Sequence, residues 1–165
     1  MKPALIVVDV QKAFFEHDPV TTQSLEQAIE TINAAIALFR DKHLPVIAVQ
    51  DLEPEENVMP GEVGFELPDQ LNVLDSDLHI HKSYGNAFNK TPLEDELKKR
   101  GVDTVIVTGF SAAQCVLATY QGAEDRDLKP ILLRGAIASG TPEHIRFVED
   151  ISSIISYGAL KQVLE

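Results

Sequence analysis

The amino-acid sequence predicts an α/β fold with a parallel sheet and helices on both faces. Short β-branched apolar runs alternate with segments whose apolar residues recur at helical spacing, which is typical of parallel sheets. The first run, Ala4 to Val8, is apolar at every position, as in a strand covered on both faces. A length of 165 residues and the absence of any linker or internal repeat indicate one domain, residues 1–165.

The first half of the chain is predicted to form a strand, a helix, a second strand and a long loop. After the strand at Ala4 to Val8, the helix is expected to begin at a capping box made by Ser24 and Gln27. A second strand is predicted from Pro45 to Val49. The periodicity is lost from Asp51 to Asp77, and a loop of that length in a compact domain is usually functional. The apolar face of the helix is Leu25, Ile29, Ile32, Ala35, Ile36 and Phe39.

The second half continues the alternation. A strand is predicted from Leu78 to Lys82. The next helix is expected to have Thr91 as its N-cap and Pro92 at its first position, and to end at Gly101. The remaining predicted elements are a strand from Thr104 to Thr108, a helix from Ala112 to Arg126, a strand from Ile131 to Leu133, a helix beginning at Thr141, Pro142 and Glu143, and a last short strand and helical turn from Ile154.

Composition and charge exclude several classes of function. The net charge is −12 and no run of five or more basic residues occurs, which argues against nucleic-acid binding. The apolar stretch near the start is interrupted by Asp9, so it is too short for a signal segment or a membrane span. We expect a cytoplasmic protein with no membrane association. The single cysteine permits neither an internal disulfide nor a CxxC motif.

Chemically active side chains stand where three predicted strands end. Asp9 follows the first strand, Lys82 closes the third, and Cys115 lies in the first turn of the helix after Thr108 and Gly109. In open α/β sheets, ligands bind beyond the carboxyl ends of the strands. These three residues are therefore the candidate catalytic group.

Their chemistry predicts nucleophilic attack on a carbonyl or amide carbon. A cysteine with a pKa of about 8.5 is only about 3% thiolate at pH 7, and a shift to about 6.5 requires roughly 2.7 kcal/mol. A helix N-terminus supplies at most about 2 kcal/mol, so Lys82 is expected to supply a further positive charge. Asp9 would hold the lysine and transfer a proton. Backbone N–H groups of the turn from Gly109 to Cys115 would form an oxyanion hole.

Other interpretations stay open at this point. A lone cysteine in an apolar stretch is commonly a small buried hydrophobe, and the fold could serve a non-catalytic module that binds a small molecule or responds to redox state. Nucleotide binding is the weakest alternative, because Val10 to Phe15 contains no glycine. Gly135 to Gly140 has the spacing of a phosphate-binding loop, but Thr141-Pro142 stands where lysine and serine or threonine are needed.

Three motifs, in order along the chain, resemble those of the isochorismatase-like cysteine hydrolases. Residues 9–14, Asp-Val-Gln-Lys-Ala-Phe, resemble the D-x-Q-x-x-F opening of that family. Lys82 with the later Ala87-Phe88 pair, Thr91 and Leu93 is similar to the family's lysine, A-F pair and T-x-L helix start. Residues 109–116, Gly-Phe-Ser-Ala-Ala-Gln-Cys-Val, resemble the turn that carries the nucleophile.

The resemblance implies a Rossmann-like three-layer sandwich with a mostly parallel sheet of about six strands. It also implies that Asp9, Lys82 and Cys115 form a triad that acts on amide or related bonds through a thioester-type intermediate. The family usually has a cis peptide before the cysteine, here between Phe110 and Ser111. By the same resemblance, the backbone amides of Ser111 and Cys115 would form the oxyanion hole.

No metal or other cofactor is expected. Nicotinamidases of this family bind a metal through a D-x-H motif after the second strand, where this chain has Asp51-Leu52-Glu53. His79 and His81 are two apart on a strand and point to one face, and they are expected to have structural or surface roles.

The predicted function is that of a metal-free cysteine hydrolase acting on a small amide, carbamoyl or related substrate through a covalent Cys115 intermediate. Aromatic side chains near the strand ends would line an apolar pocket. The chain is shorter than many members of the family, so its pocket walls would be incomplete in one protomer. A homo-oligomer, a dimer or larger, is therefore expected. The predicted pocket residues are Gln11, Phe14, Phe88 and Phe110.

Overall fold

Six parallel strands form one sheet in the computed structural model, which describes residues 1–165. Their order in the sheet is β3-β2-β1-β4-β5-β6. The predicted α/β fold with a parallel sheet of about six strands is thereby confirmed. The strands are β1 (Pro3–Val8), β2 (Val46–Asp51), β3 (Leu78–Lys82), β4 (Thr104–Phe110), β5 (Lys129–Ala138) and β6 (Ile154–Ile155).

Helices cover both faces of the sheet, because the buried side chains of each strand alternate between two cores. In β1, for example, Ile6 and Val8 pack in one core and Leu5 and Val7 in the other. The first core also contains residues of α2 (Leu93–Lys99), α3 (Leu117–Glu124) and α4 (Pro142–Asp150). The second contains residues of α1 (Pro19–Asp41) and α5 (Tyr157–Val163). None of these helices has the length and apolar character needed to cross a bilayer.

The N-cap of the first helix lies six residues earlier than the sequence prediction. Asp18 is the N-cap, and its side chain accepts a hydrogen bond of 2.8 Å from the Thr21 N–H, with Pro19 at the first helical position. The predicted capping box at Ser24 and Gln27 is therefore wrong. The Ser24 hydroxyl instead accepts a hydrogen bond from the Ser139 N–H across the fold.

Three strands are longer than predicted, and the extra residues matter for the site. β2 continues to Asp51 because it pairs in register with β3, with Asp51 opposite Lys82. β4 continues to Phe110, and β5 runs through Gly135, where a positive φ accompanies a shift of register against β4. The predicted loop after Asp51 is irregular apart from two short 3₁₀ turns, at Pro54–Glu56 and Val63–Phe65.

The segment that follows β4 is not the continuous helix that was predicted from Ala112. Residues Ala112–Val116 form a single π-type turn in which Gln114 has a non-helical backbone, and α3 begins only at Leu117. Such turns are often found at functional sites. Gly109 precedes this turn with φ +111°, and a Cβ there would lie 2.1 Å from the Val8 carbonyl oxygen. Only glycine fits this approach of β4 to β1.

The order of the strands fixes where a ligand can bind. β2 and β3 lie on one side of β1, and β4 to β6 lie on the other. The direction in which successive strands are added to the sheet therefore reverses between β1 and β4, and a crevice opens at the carboxyl ends of these two parallel strands. Asp9 follows β1, and the turn carrying Cys115 follows β4.

Candidate active site

Asp9 is held in a conformation that aspartate rarely adopts. Its φ is +53°, in the left-handed region, and its N–H donates to the Val49 carbonyl at 2.9 Å. The side chain is 2% exposed, and one carboxylate oxygen, Oδ1, is buried without a hydrogen-bond partner. Strained backbone and an unsatisfied buried polar atom are both costly, and both are concentrated at functional sites.

The Lys82 ammonium group lies at the centre of the site. Its side chain is fully buried, and its Nζ is 3.0 Å from Asp9 Oδ2 and 3.3 Å from Cys115 Sγ. Nζ also lies 3.0 Å from Oδ1 of Asp51. The three residues that the sequence singled out are thus brought together, and Asp51 joins them as a fourth.

Cys115 is half-buried in the π-type turn, with its sulfur facing Lys82. The peptide bond between Phe110 and Ser111 is cis, as the family resemblance implied. The Ser111 carbonyl accepts hydrogen bonds from the N–H groups of Gln114 and Val116, whereas its own N–H has no protein acceptor. A free N–H at this position is available to an oxygen atom of a ligand.

Burial dominates the electrostatics of Asp9. Removal from water raises its pKa to about 7, and the Lys82 charge only partly opposes the effect. The neighbouring Asp51 carboxylate raises it further. A carboxyl group with a pKa near neutrality can both accept and donate a proton under physiological conditions.

The surroundings of Cys115 raise the pKa of its thiol and so favour the protonated form. Burial and the Asp9 carboxylate raise its pKa to about 12, and Lys82 does not compensate for them. Burial alone would lower the pKa of Lys82, but the charges of Asp9, Cys115 and Asp51 raise it, so the ammonium stays charged. Burial first and the Asp9 carboxylate second thus oppose the thiolate that Lys82 was expected to favour.

We predict slow alkylation of Cys115 at neutral pH. The rate with iodoacetamide should rise with pH without levelling off below about pH 10, because the thiolate is the reacting form and its formation is opposed by burial. Because Cys115 is the only cysteine, all thiol labelling reports on this residue. Rapid labelling that reaches its plateau near pH 6.5 would contradict the prediction.

Gln11 does not line a pocket as the sequence predicted. Its side chain is fully buried, and its amide binds the main chain of Asp51 through both of its polar atoms. Nε2 donates to the Asp51 carbonyl at 3.0 Å, and Oε1 accepts from the Asp51 N–H at 2.7 Å. Gln11 therefore ties the turn after β1 to the end of β2.

The predicted aromatic residues separate into two groups. Phe14 and Phe110 stack with ring centroids 5.5 Å apart, and His17 contacts the edge of Phe14 at 5.6 Å. Phe88 lies in the other core, where the Arg126 guanidinium stands 4.9 Å above its ring. Phe88, in the loop after β3, therefore packs on the opposite face of the sheet from Phe14.

A cavity of about 540 Å³ lies against Phe14 and His17. Its far wall carries Glu53, whose pKa burial and the nearby Asp51 raise to about 6. His17 and Glu53 line this cavity but were not predicted as pocket residues. His17 follows the matched motif at residues 9–14, and Glu53 follows the end of β2. The cavity is lined by Ala13, Phe14, Glu16, His17, Glu53, Glu56 and Val58.

The residues at the position of the D-x-H motif do not form a metal site. Asp51 is bonded to Lys82, and no group of three or more histidine, cysteine, aspartate or glutamate side chains has the arrangement of a metal centre. His79 faces Gln50 Oε1 and the Leu74 carbonyl with its two ring nitrogens. These contacts join β3 to β2 and to the loop that precedes β3.

Comparison with known proteins shows the family of the chain. The sequence profile described as the isochorismatase domain matches residues 3–149. The chain belongs to the isochorismatase family. The isochorismatase family protein YrdC of Bacillus subtilis is 31% identical over 140 residues, which cover 84% of this chain and 74% of YrdC.

Solved structures of the isochorismatase family superpose over nearly the whole chain. An isochorismatase-like hydrolase from Alkaliphilus metalliredigens gives a TM-score of 0.90 at 23% identity, with 100% of both chains covered. N-carbamoylsarcosine amidase from Thermoplasma acidophilum gives a TM-score of 0.82 at 27% identity, with coverage of 94% of this chain and 96% of the amidase. The chain is thus an isochorismatase-like hydrolase by family.

Proposed function

We propose that this protein is a metal-free cysteine hydrolase that cleaves a C–N bond of a small amide, N-carbamoyl or related substrate through a covalent intermediate on Cys115. The observation that carries the proposal is the buried Lys82 ammonium, 3.0 Å from the Asp9 carboxylate and 3.3 Å from the Cys115 sulfur. Nucleophile, base and cation within hydrogen-bond reach are what covalent catalysis requires.

In the first half of the reaction, Asp9 acts as the base. Its unpartnered Oδ1 takes the proton of the Cys115 thiol as the sulfur attacks the substrate carbonyl carbon. Lys82 stabilises the negative charge that develops on sulfur. The tetrahedral intermediate then collapses: the C–N bond breaks, Asp9 returns the proton to the leaving nitrogen, and a thioester or thiocarbamate stays on Cys115.

In the second half, water replaces the amine. The Asp9 carboxylate takes a proton from water, whose oxygen attacks the thioester carbon. The C–S bond breaks, the acid product leaves, and the proton on Asp9 returns to the Cys115 sulfur. The free N–H of Ser111, together with the N–H of Cys115, would bind the oxyanion in both halves.

The pH dependence of catalysis should report the ionisation of Asp9. We predict that kcat/KM rises tenfold per pH unit below about pH 7 and levels off above it, because only the carboxylate form can accept the thiol proton and burial raises the pKa of Asp9 to about 7. The Asp9→Asn variant should show low activity, and its kcat/KM should lack this acid limb, the rise with pH below about pH 7. An acid limb that ends near pH 4, the ordinary pKa range of aspartate, would contradict the assignment of Asp9 as the base.

The substrate class is tested with a panel of small amides, N-carbamoyl amino acids and vinyl ethers. The likeness to an N-carbamoylsarcosine amidase at 27% identity supports the first two groups. The expected result is release of the amine or of ammonia, together with a mass increase on Cys115 when the reaction is quenched with acid. Turnover of vinyl ethers alone, without an adduct, would contradict the covalent mechanism. Binding without any turnover would support the non-catalytic module instead.

A further inference from the structure

Three acceptors surround the Lys82 ammonium, which has three N–H donors. Two of the acceptors, Asp9 Oδ2 and Cys115 Sγ, belong to the proposed chemistry. The third, Asp51 Oδ1 at 3.0 Å, has no part in it. A lysine side chain has four rotatable bonds, so a contact that occupies the third donor restricts where the other two can point.

Asp51 is itself fixed on two sides. Its N–H and carbonyl are bound by the side chain of Gln11, which is fully buried. On the other side, Asp51 stands opposite Lys82 in the register of β2 and β3, and the Leu52 N–H donates to the Lys82 carbonyl at 2.8 Å. Because Gln11 lies two residues after Asp9, one short segment controls both carboxylates that face the lysine.

We propose that Asp51 is a positioning residue that holds the Lys82 ammonium between Asp9 and Cys115, and that Gln11 fixes Asp51 for this purpose by binding its main chain. The inference rests on the proposed function for its meaning in catalysis, but the geometry it describes is independent of any substrate.

Asp51 also divides the positive charge of Lys82 between two carboxylates. If Asp51 were neutral, Lys82 would act on Asp9 and Cys115 alone, and both would ionise more readily. The charged and titratable groups that face this centre are Asp9 after β1, Asp51 and Glu53 at the end of β2, Lys82 at the end of β3, and Cys115 in the turn after β4. Replacing Asp51 by asparagine neutralises this carboxylate without removing a proposed catalytic group, and it keeps an oxygen beside Lys82.

The test is the alkylation of Cys115 by iodoacetamide as a function of pH, in the full-length protein and in Asp51→Asn. Asparagine keeps an oxygen that can accept from Lys82 but removes the charge. We expect Asp51→Asn to be labelled faster than the wild type at the same pH, by about tenfold, which is about one unit of displacement along the pH axis. Asp51→Glu, which restores the charge, should return the labelling toward the wild-type curve.

The matched control is Asp77→Asn. Asp77 also lies in an ion pair, with Arg40 at 2.6 Å, but it precedes β3 and so stands at the opposite end of that strand from Lys82. Its removal should leave the labelling curve unchanged. An Asp51→Asn curve that coincides with the wild-type curve, or that is displaced no more than the control, would overturn the inference. If Asp51→Asn does not fold, the test compares Asp51→Glu with Gln11→Ala instead. Labelling curves of these two variants that both coincide with the wild-type curve would overturn the inference.

The kinetic readout separates this inference from the proposed function. With a substrate in hand, Asp51→Asn should displace the acid limb of kcat/KM to lower pH, whereas a merely structural contact would lower activity equally at every pH. A wild-type protein without turnover would refute the proposed function, but the labelling displacement would still support the role of Asp51. If the wild type turns substrate over, but Asp51→Asn shifts neither the acid limb of kcat/KM nor the pH curve of Cys115 labelling, the role of Asp51 alone is refuted.

Discussion

Replacing Cys115 by alanine is expected to lower kcat/KM by at least about a thousandfold while the protein stays folded. Without the sulfur no covalent intermediate forms, and loss of a nucleophile typically costs between about three and six orders of magnitude. The residue is half-buried, and a change from cysteine to alanine removes only one atom, so the melting temperature should change by a few degrees at most. Steady-state kinetics together with thermal melting measure both effects.

A serine variant is the matched control for Cys115→Ala. Serine keeps the shape and a nucleophilic atom, but its hydroxyl is far harder to ionise than a thiol beside Asp9 and Lys82. It should be strongly impaired and should still form a trace of the covalent adduct. A substrate that Cys115→Ala hydrolyses as fast as the wild type would refute the assignment of the nucleophile.

The strand ends were the part of the site that the sequence could predict. A side chain that follows a continuous apolar run stands at the carboxyl edge of a parallel sheet, so Asp9, Lys82 and Cys115 could be placed together before their distances were known. Asp51 was missed because the second strand was ended at Val49. Its last two residues, Gln50 and Asp51, are polar, and only pairing with β3 keeps them in the sheet.

The charge state of the thiol could not be predicted from the sequence. Counting Asp9, Lys82 and Cys115 alone suggests one cation for one thiolate, with the aspartate as an anchor. In the structure, burial of the half-buried thiol raises its pKa most and the Asp9 carboxylate adds to the effect, so both disfavour the thiolate. Burial depends on the loops and helices that enclose the strand ends, and those are set by tertiary packing rather than by local pattern. The same limit applies to Gln11 and Phe88, whose side chains were predicted to line a pocket but are buried in the structure.

The homo-oligomer predicted from the length of the chain stays a prediction. It is tested by size-exclusion chromatography with light scattering.

Replacing Lys82 by methionine is expected to destabilise the fold by about 3 to 5 kcal/mol at pH 8, in addition to removing activity. Methionine fills nearly the same volume, so packing is retained, but the buried Asp9 and the partly buried Asp51 lose their shared cation. Breaking one side of a buried ion pair leaves an uncompensated charge, and that is what makes the loss so large. For a protein of this size the melting temperature should fall by about 10 °C.

The loss caused by Lys82→Met should depend on pH in a direction fixed by Asp9. Burial raises the pKa of Asp9 to about 7 in the folded wild type, against an ordinary value near 4 in the unfolded chain, so the folded state binds more protons between those values. Stability from this group therefore increases as the pH falls from about 7 to 4. Without Lys82 the folded pKa of Asp9 rises further, and the window extends above pH 7. The difference in melting temperature between wild type and Lys82→Met should thus be largest above pH 8 and smallest near pH 5.

In Lys82→Met combined with Asp9→Asn, where no buried charge remains at residue 9, most of this pH dependence should disappear. A difference in melting temperature between wild type and Lys82→Met that is the same at every pH would show that Lys82 contributes only to packing.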